Sequence, residues 1–214
     1  MSQELGKIER PAAEEFKAAR KLFFVPLIFT PRDIQGELFE KVFRYWDQVE
    51  SQLTSLETKL GIAKKVYHEL VPVGGEEGGK IIEELNSTSY GIIKARLDKG
   101  AQLEALEDAD LLTESMDWTR CLAVGLQNQK VFDKVYNLYV EAQKKRNEHI
   151  AKMINDTLKE SEVGILLMRE GHQVQFPADI EVFYVAPPGL EEIKRWLRTK
   201  DIEAEEEEGK NPEK

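Results

Sequence analysis

Cysteine is scarce in this chain of 214 residues, which contains only Cys121. A single thiol cannot close an intramolecular disulfide or supply the thiolates of a cysteine-rich zinc site. The sequence therefore excludes disulfide-stapled folds and zinc fingers. Cys121 lies in a segment predicted to be helical, and because free cysteine is usually buried, we expect it in the core.

Long apolar segments are also missing. The longest apolar run covers residues 22–29 and is interrupted by Pro26, whereas a membrane helix needs about 20 apolar residues. Residues 1–7 lack the apolar run behind a basic head that marks a signal peptide. We therefore expect a cytoplasmic protein that does not enter a membrane.

Basic residues are outnumbered by acidic ones. The chain has 30 Lys and Arg against 40 Asp and Glu, a formal net charge of -10. A surface of that sign repels the phosphates of nucleic acids and of anionic lipids. We expect neither as a partner. The hydrophobic fraction of 41% is sufficient for a packed core.

Short apolar runs alternate with long segments of helical periodicity. The runs predict strands at 21–29, 65–73, 103–106, 163–168 and 180–185. The periodic segments predict helices at 9–20, 30–60, 79–99, 111–126, 129–159 and 190–198. This alternation predicts an α/β fold with a small, mostly parallel or mixed sheet flanked by long helices. A mainly α fold is the alternative, because two long helices dominate the chain.

Two features bear on the limits of these elements. Pro26 lacks a backbone N–H, so we expect the first strand either to lie at a sheet edge or to end early. From residue 201 the composition changes to the acidic run 203–208, which cannot pack. We predict one domain over 1–200 and a disordered acidic tail over 201–214.

The first long helix carries one apolar stripe. Its members recur at spacings of three and four: Ile34, Leu38, Val42, Trp46, Val49, Leu53, Leu56 and Leu60. The stripe is typical of a helix face that packs on a core. The alternative is an assembly surface, in which this stripe or an exposed Trp46 joins two copies of the chain in a homodimer.

A glycine-rich segment, Gly74 to Lys80, lies between a predicted strand and a predicted helix. Its spacing is that of a phosphate-binding loop. However, Ile81 stands where such loops have the magnesium-binding Ser or Thr, and Glu76 and Glu77 would repel an anion. We interpret the segment as a mobile loop that does not bind nucleotides.

Polar residues interrupt the second predicted strand. Tyr67, His68 and Glu69 lie between Val66 and Leu70, although buried parallel strands are usually continuous apolar runs. Alternation places His68 and Glu69 on opposite faces of the sheet. A buried Glu69 would be paired or would have a raised pKa suited to acid–base chemistry. An edge strand with one wet face is the alternative.

Arg146 interrupts the buried stripe of the second long helix, which we predict from Val131, Val135, Leu138, Ala142, Ile150, Met153 and Leu158. A buried guanidinium needs carboxylate partners or a route to water. The carboxylates available are Glu69, Glu104, Glu107 and Asp110. A structural ion pair and a clamp for the carboxylate of a substrate are both open.

His172 follows the apolar run 163–168. Ligands in α/β folds gather outside the carboxyl ends of strands. A histidine at this place suits proton transfer or metal ligation. An ordinary loop histidine is the alternative.

The segment 146–172 resembles a pattern in the superfamily of Tiki proteases, erythromycin esterases and haem-uptake proteins. The resemblance is carried by Arg146-Asn147, by 150–154, by the strand 164–167 and by Gly171-His172. It implies an α/β fold with acidic and histidine residues at strand ends, and a hydrolase, in some members metal-dependent, or a binding protein. The Gly-Glu-x-His-like motif usual after the first strand of that superfamily is absent from 29–33.

These observations predict a cleft lined by Glu69, Glu107, Arg146 and His172. If the protein is an enzyme, we expect a hydrolase, with Glu69 or Glu107 as base or metal ligand and His172 as acid or ligand. Oxygen and nitrogen ligands without thiolate would suit Mn, Mg or Zn. The ligand or substrate itself is not predicted.

Overall fold

The structure, a computed structural model, describes residues 19–29 and 35–210, the last ten of these by their backbone alone. It contains five strands: β1 (Arg20–Pro26), β2 (Ala63–His68), β3 (Gln102–Leu103), β4 (Val163–Met168) and β5 (Ile180–Tyr184). Its helices are α1 (Gly36–Leu60), α2 (Gly75–Leu85), α3 (Ser87–Leu97), α4 (Ala109–Ala123), α5 (Gln129–Thr157) and α6 (Pro188–Lys210). The predicted α/β fold is confirmed.

The strands form one parallel sheet in the order β3-β2-β4-β1-β5. All six residues of β4 are buried, as the unbroken apolar run predicts for a strand covered on both faces. β1 also lies inside the sheet, between β4 and β5. The predicted edge position of β1 is therefore wrong. The predicted early end is confirmed, because Pro26 is the last residue of the strand and leaves no interior ladder bond unmade.

Two separate cores cover the sheet. On one face, side chains of β1 and β4 pack against α1, α2, α3 and α6. On the other face, Leu22, Tyr67 and Leu166 pack against Ile150 and Ile154 of α5. The sheet therefore forms the middle of three layers, and α5 is the only described helix that covers the second face.

The apolar stripe of α1 packs into the first core. Val42, Val49 and Leu53 are buried, and Trp46 is only 3% exposed. The expectation of an exposed Trp46 is wrong, because its indole is buried in the first core. These buried side chains are not available to a second copy, and the homodimer itself stays a prediction.

Several predicted boundaries shift. The helix predicted over 79–99 is two helices, because Asn86 ends α2 and caps α3 by accepting a hydrogen bond from the backbone of Ser89. Residues 75–80 are the first turns of α2 rather than a mobile loop. The last helix continues past Arg198 to Lys210 and so into the predicted tail. Predictions for 9–18, 30–34 and 211–214 lie outside the described residues.

The helices α4 and α5 are joined by a short loop, residues 124–128, and pack against each other as an antiparallel hairpin. Only the second half of α5 covers the sheet. In the first half, Val131 and Leu138 are exposed, contrary to the predicted buried stripe, and Cys121 of α4 is also exposed. Among the described residues, no element covers Val131 and Leu138.

Within the part of the chain that the structure describes, none of the helices combines the length and apolar character needed to cross a bilayer.

Candidate ligand cleft

The candidate site lies where β2 and β4 end. The chains that leave β1 and β2 cross the first face of the sheet, whereas the chain from β3 to β4 reaches the second face through α5. β4 therefore lies between β2 and β1, whose outgoing chains cross the face opposite to the one that α5 covers. A crevice opens at such a reversal in an α/β sheet, and ligands bind there.

Glu69 is the first residue after β2. Its backbone N–H donates to the carbonyl of Leu167, at 2.9 Å, so the chain is still tied to β4. Alternation directs its side chain to the same face as Tyr67, the face covered by α5. The carboxylate of Glu69 is consequently buried between the sheet end and that helix.

Arg146 meets this carboxylate from α5. Its Nη2 donates to Oε1 of Glu69 at 3.1 Å, and its Nε donates to Oε2 of Glu107 at 2.9 Å. A second bond joins Nη2 to the other oxygen of Glu107. All three side chains are buried. The structure thus brings three of the four predicted residues into one buried ion network.

Glu107 has a further structural task. Its Oε1 accepts the backbone N–H of Leu70 at 3.1 Å. Leu70 has a φ of 70°, a conformation that costs energy for a residue other than glycine. Glu107 therefore holds the turn after β2 and does not line the cleft, contrary to its predicted position.

A fourth charged residue, Arg169, completes the network. It follows β4 directly, and its backbone N–H and Nη2 donate to the two carboxylate oxygens of Glu69 at 2.9 and 2.8 Å. Burial alone would raise the pKa of Glu69. The hydrogen bonds and positive charge of Arg169, together with the charge of Arg146, outweigh burial and lower that pKa. Glu69 is therefore an ionised carboxylate held in place by Arg169 and Arg146.

Arg169 also faces water, because 56% of its side chain is exposed. Its guanidinium lies over the ring of Phe29, 5.8 Å from the centroid. Its Nε and Nη2 are engaged by Glu69, whereas Nη1 makes no hydrogen bond to a described residue. Arg169 thus presents a fixed cation with a free donor.

His172 lies in the same cleft as Glu69 and Arg146. Its ring packs against Phe24 at 4.9 Å and Phe176 at 5.7 Å. Burial lowers the pKa of His172, with the charge of Glu69 opposing the shift. Its Nδ1 accepts the N–H of Val174 at 3.3 Å. The neutral ring therefore carries its proton on Nε2 and can donate one hydrogen bond.

The cleft has a volume of about 470 Å³. Its charged and polar lining includes Glu69, Arg146, Arg169, His172 and also Glu170, which is paired with Lys194. Tyr136, Tyr139, Val140 and Gln143 of α5 form one wall. The sequence interpretation missed Arg169 and the wall of α5. Arg169 follows the buried strand directly, and the spacing of Tyr136, Val140 and Gln143 places them on one helix face, so both signals were present.

His68 lies outside this cleft. Alternation directs it to the face opposite Glu69, as predicted, and it is fully buried. Its Nδ1–H donates to the carbonyl of Glu69 at 2.6 Å, and its Nε2 has no hydrogen-bond partner among the described residues. Burial lowers the pKa of His68 to about 4. His68 is therefore a neutral core residue at pH 7.

The predicted divalent metal does not fit these residues. The described parts of the chain contain no group of three or more His, Cys, Asp or Glu arranged to hold a cation. Glu69 and Glu107 already neutralise the guanidinium of Arg146, which lies between them. A cation added there would meet that positive charge at close range.

Comparisons of the chain with protein-family models, with curated proteins and with solved structures returned no match. The resemblance of 146–172 to the Tiki protease superfamily thus stays a prediction.

Proposed function

We propose that the protein binds a small anionic molecule, a carboxylate or a phosphate monoester, in the cleft at the carboxyl end of β4. The observation that carries this proposal is that Arg169 is both held in place and accessible to a ligand. Its guanidinium is fixed on the cleft floor by buried Glu69, yet half of the side chain is exposed. A cation held in place before binding loses little entropy when the anion arrives.

The surrounding residues support an anionic ligand of limited size. Carboxylates and phosphates are the groups that a guanidinium binds best. The Nε2–H of His172 can donate to the same ligand, since its Nδ1 accepts from Val174. Tyr136, Tyr139 and Val140 of α5 add apolar contact area to a cleft whose other side chains are mostly polar.

Binding fits the geometry better than the hydrolysis predicted from the sequence. A general base needs a free lone pair near the substrate. The oxygens of Glu69 and Glu107 accept hydrogen bonds from guanidinium and backbone groups, and Nδ1 of His172 accepts one from Val174. Arg146 and His172, which carry the resemblance to hydrolases and binding proteins, both line the cleft.

The test is an NMR titration of the full chain with butyrate and with butyl phosphate. We expect saturable shifts of the amides of 168–173 with at least one of the two anions, and the stronger binder identifies the head group. Arg169→Gln should weaken binding about tenfold or more, since a charge-assisted bond contributes about 1.5–3 kcal/mol.

The matched control is Arg44→Gln. Arg44 is 58% exposed and also pairs with one glutamate, Glu192, but lies on α1 away from the cleft. It should bind both anions as the native chain does. Equal losses in the two variants, or no saturable shift with either anion, would contradict the proposal.

A further inference from the structure

The α4–α5 hairpin leaves an apolar surface uncovered beside the cleft. No side chain in residues 129–141 is buried, and Ser115 is the one buried residue of α4. Large apolar side chains nevertheless occur there at regular spacing. Such exposure is unusual and commonly marks a binding surface.

Three of these side chains form a line, which we call the α5 stripe: Phe132, Tyr136 and Val140. Spacings of four place them on one face of the helix. They are 37%, 47% and 46% exposed. The rings of Phe132 and Tyr136 stack at 5.9 Å with an interplanar angle of 12°, so the stripe is a flat, ordered apolar track.

The α5 stripe continues the cleft. Tyr136 and Val140 line the same cavity as Arg169 and His172, whereas Phe132 lies one turn further from it. A molecule that enters the cleft therefore meets a fixed cation at one end and an apolar track at the other.

We propose that the ligand is amphipathic, with its anionic head on Arg169 and an apolar tail along the α5 stripe. This inference rests on the proposed function and specifies the class of ligand. The stripe runs over nine residues of helix, from Phe132 to Val140, a rise of roughly 12 Å, so a tail of about ten carbons spans it.

The size of the stripe favours a ligand tail over a second copy of the chain. A stable protein interface buries about 800 Å² on each partner, and three half-exposed side chains supply much less. Two chains of net charge -10 also repel each other. A narrow track beside a cavity instead matches the shape of a single alkyl or aromatic tail.

The experiment measures the affinity of the full chain for unbranched carboxylates from butyrate to decanoate, and for alkyl phosphates of the same lengths, by calorimetry. Each methylene buried on the stripe should tighten binding about fourfold, the equivalent of about 0.8 kcal/mol. The gain in affinity per methylene should be the same for carboxylates and for phosphates. The series that binds more tightly identifies the head group.

Two valines give a matched comparison. Val140 and Val131 are both 46% exposed on α5, but Val131 lies off the stripe and does not line the cleft. Val140→Ser should reduce the gain per methylene in both series. Val131→Ser should leave that gain unchanged.

The outcomes separate the two proposals. If butyrate binding depends on Arg169 but longer chains bind no more tightly, the proposed site for the tail is wrong and the proposed anion site stands. An affinity for butyrate and decanoate that is undiminished in Arg169→Gln overturns the assignment of the head and with it both proposals. Dimers in sedimentation velocity that Val140→Ser dissociates would mean that a second copy covers the stripe, which also overturns this inference.

Discussion

Replacing Arg146 by methionine tests the buried network that positions Arg169. Methionine keeps the unbranched apolar stem of the side chain but removes the guanidinium and its charge. Glu69 retains its bonds from Arg169, whereas Glu107 retains only the backbone N–H of Leu70. The variant therefore leaves one almost uncompensated carboxylate in the interior.

The magnitude follows from that isolated charge. Removing one partner of a buried ion pair costs about 3–5 kcal/mol of unfolding free energy, because the other charge stays desolvated. We expect Arg146→Met to lose this amount in urea unfolding, with a lower midpoint and an unchanged slope. This is a large part of the roughly 5–15 kcal/mol that stabilises a typical domain.

A double variant separates lost charge compensation from lost packing. In Arg146→Met, Glu107→Leu no carboxylate is left alone, and the remaining cost is about 1–3 kcal/mol for the unpaired N–H of Leu70. The double variant should therefore be more stable than Arg146→Met. A loss below about 1 kcal/mol in the single variant, or a double variant less stable than the single one, would refute the reasoning.

Three further predictions concern other parts of the molecule. The pKa of His68 falls from 6.5 to about 4 on folding, so the unfolded chain takes up a proton at a higher pH than the folded chain does. The free energy of unfolding should therefore fall by about 2 kcal/mol from pH 6.5 to 4.5. His68→Phe should remove most of this dependence on pH. Gly78→Ala should destabilise the fold by several kcal/mol in urea unfolding, because a Cβ there would lie 2.3 Å from the carbonyl oxygen of Val73. EDTA, Mn, Zn and Mg should each leave the melting temperature unchanged, since the buried carboxylates are already paired with arginine; a rise of several degrees with one metal would revive the metal hypothesis.

The sequence predicted an element of the fold well where a single structural environment accounts for the residue pattern. The run 163–168 is β4 residue for residue, because only a strand covered on both faces is apolar at every position. The break at Asn86 was missed, since its capping bond to the backbone of Ser89 and its bond to the carbonyl of Ile28 depend on side-chain geometry.

The site was predictable in part. The buried stripe predicted from Val131 to Leu158 indicated that Arg146 is buried. Glu69 and Glu107 were among its four candidate carboxylate partners. Which carboxylates it meets depends on β2 lying next to β4, and strand order cannot be read from a single sequence. Glu104 instead pairs with Lys65 on the neighbouring strand.

The uncovered hairpin shows a different limit. Periodicity located the apolar side of α5, and Ile150 and Ile154 are buried as part of the second core. The same pattern at Val131 and Leu138 faces solvent. Periodicity says which residues share a face, but not whether another element packs on it.

A crystal structure of the protein with decanoate would test directly whether an amphipathic anion binds in the cleft beside β4. We expect the carboxylate within hydrogen-bonding distance of Nη1 of Arg169, with the alkyl chain lying against Val140 and Tyr136. A carboxylate bound elsewhere, with an empty cleft beside β4, would contradict it.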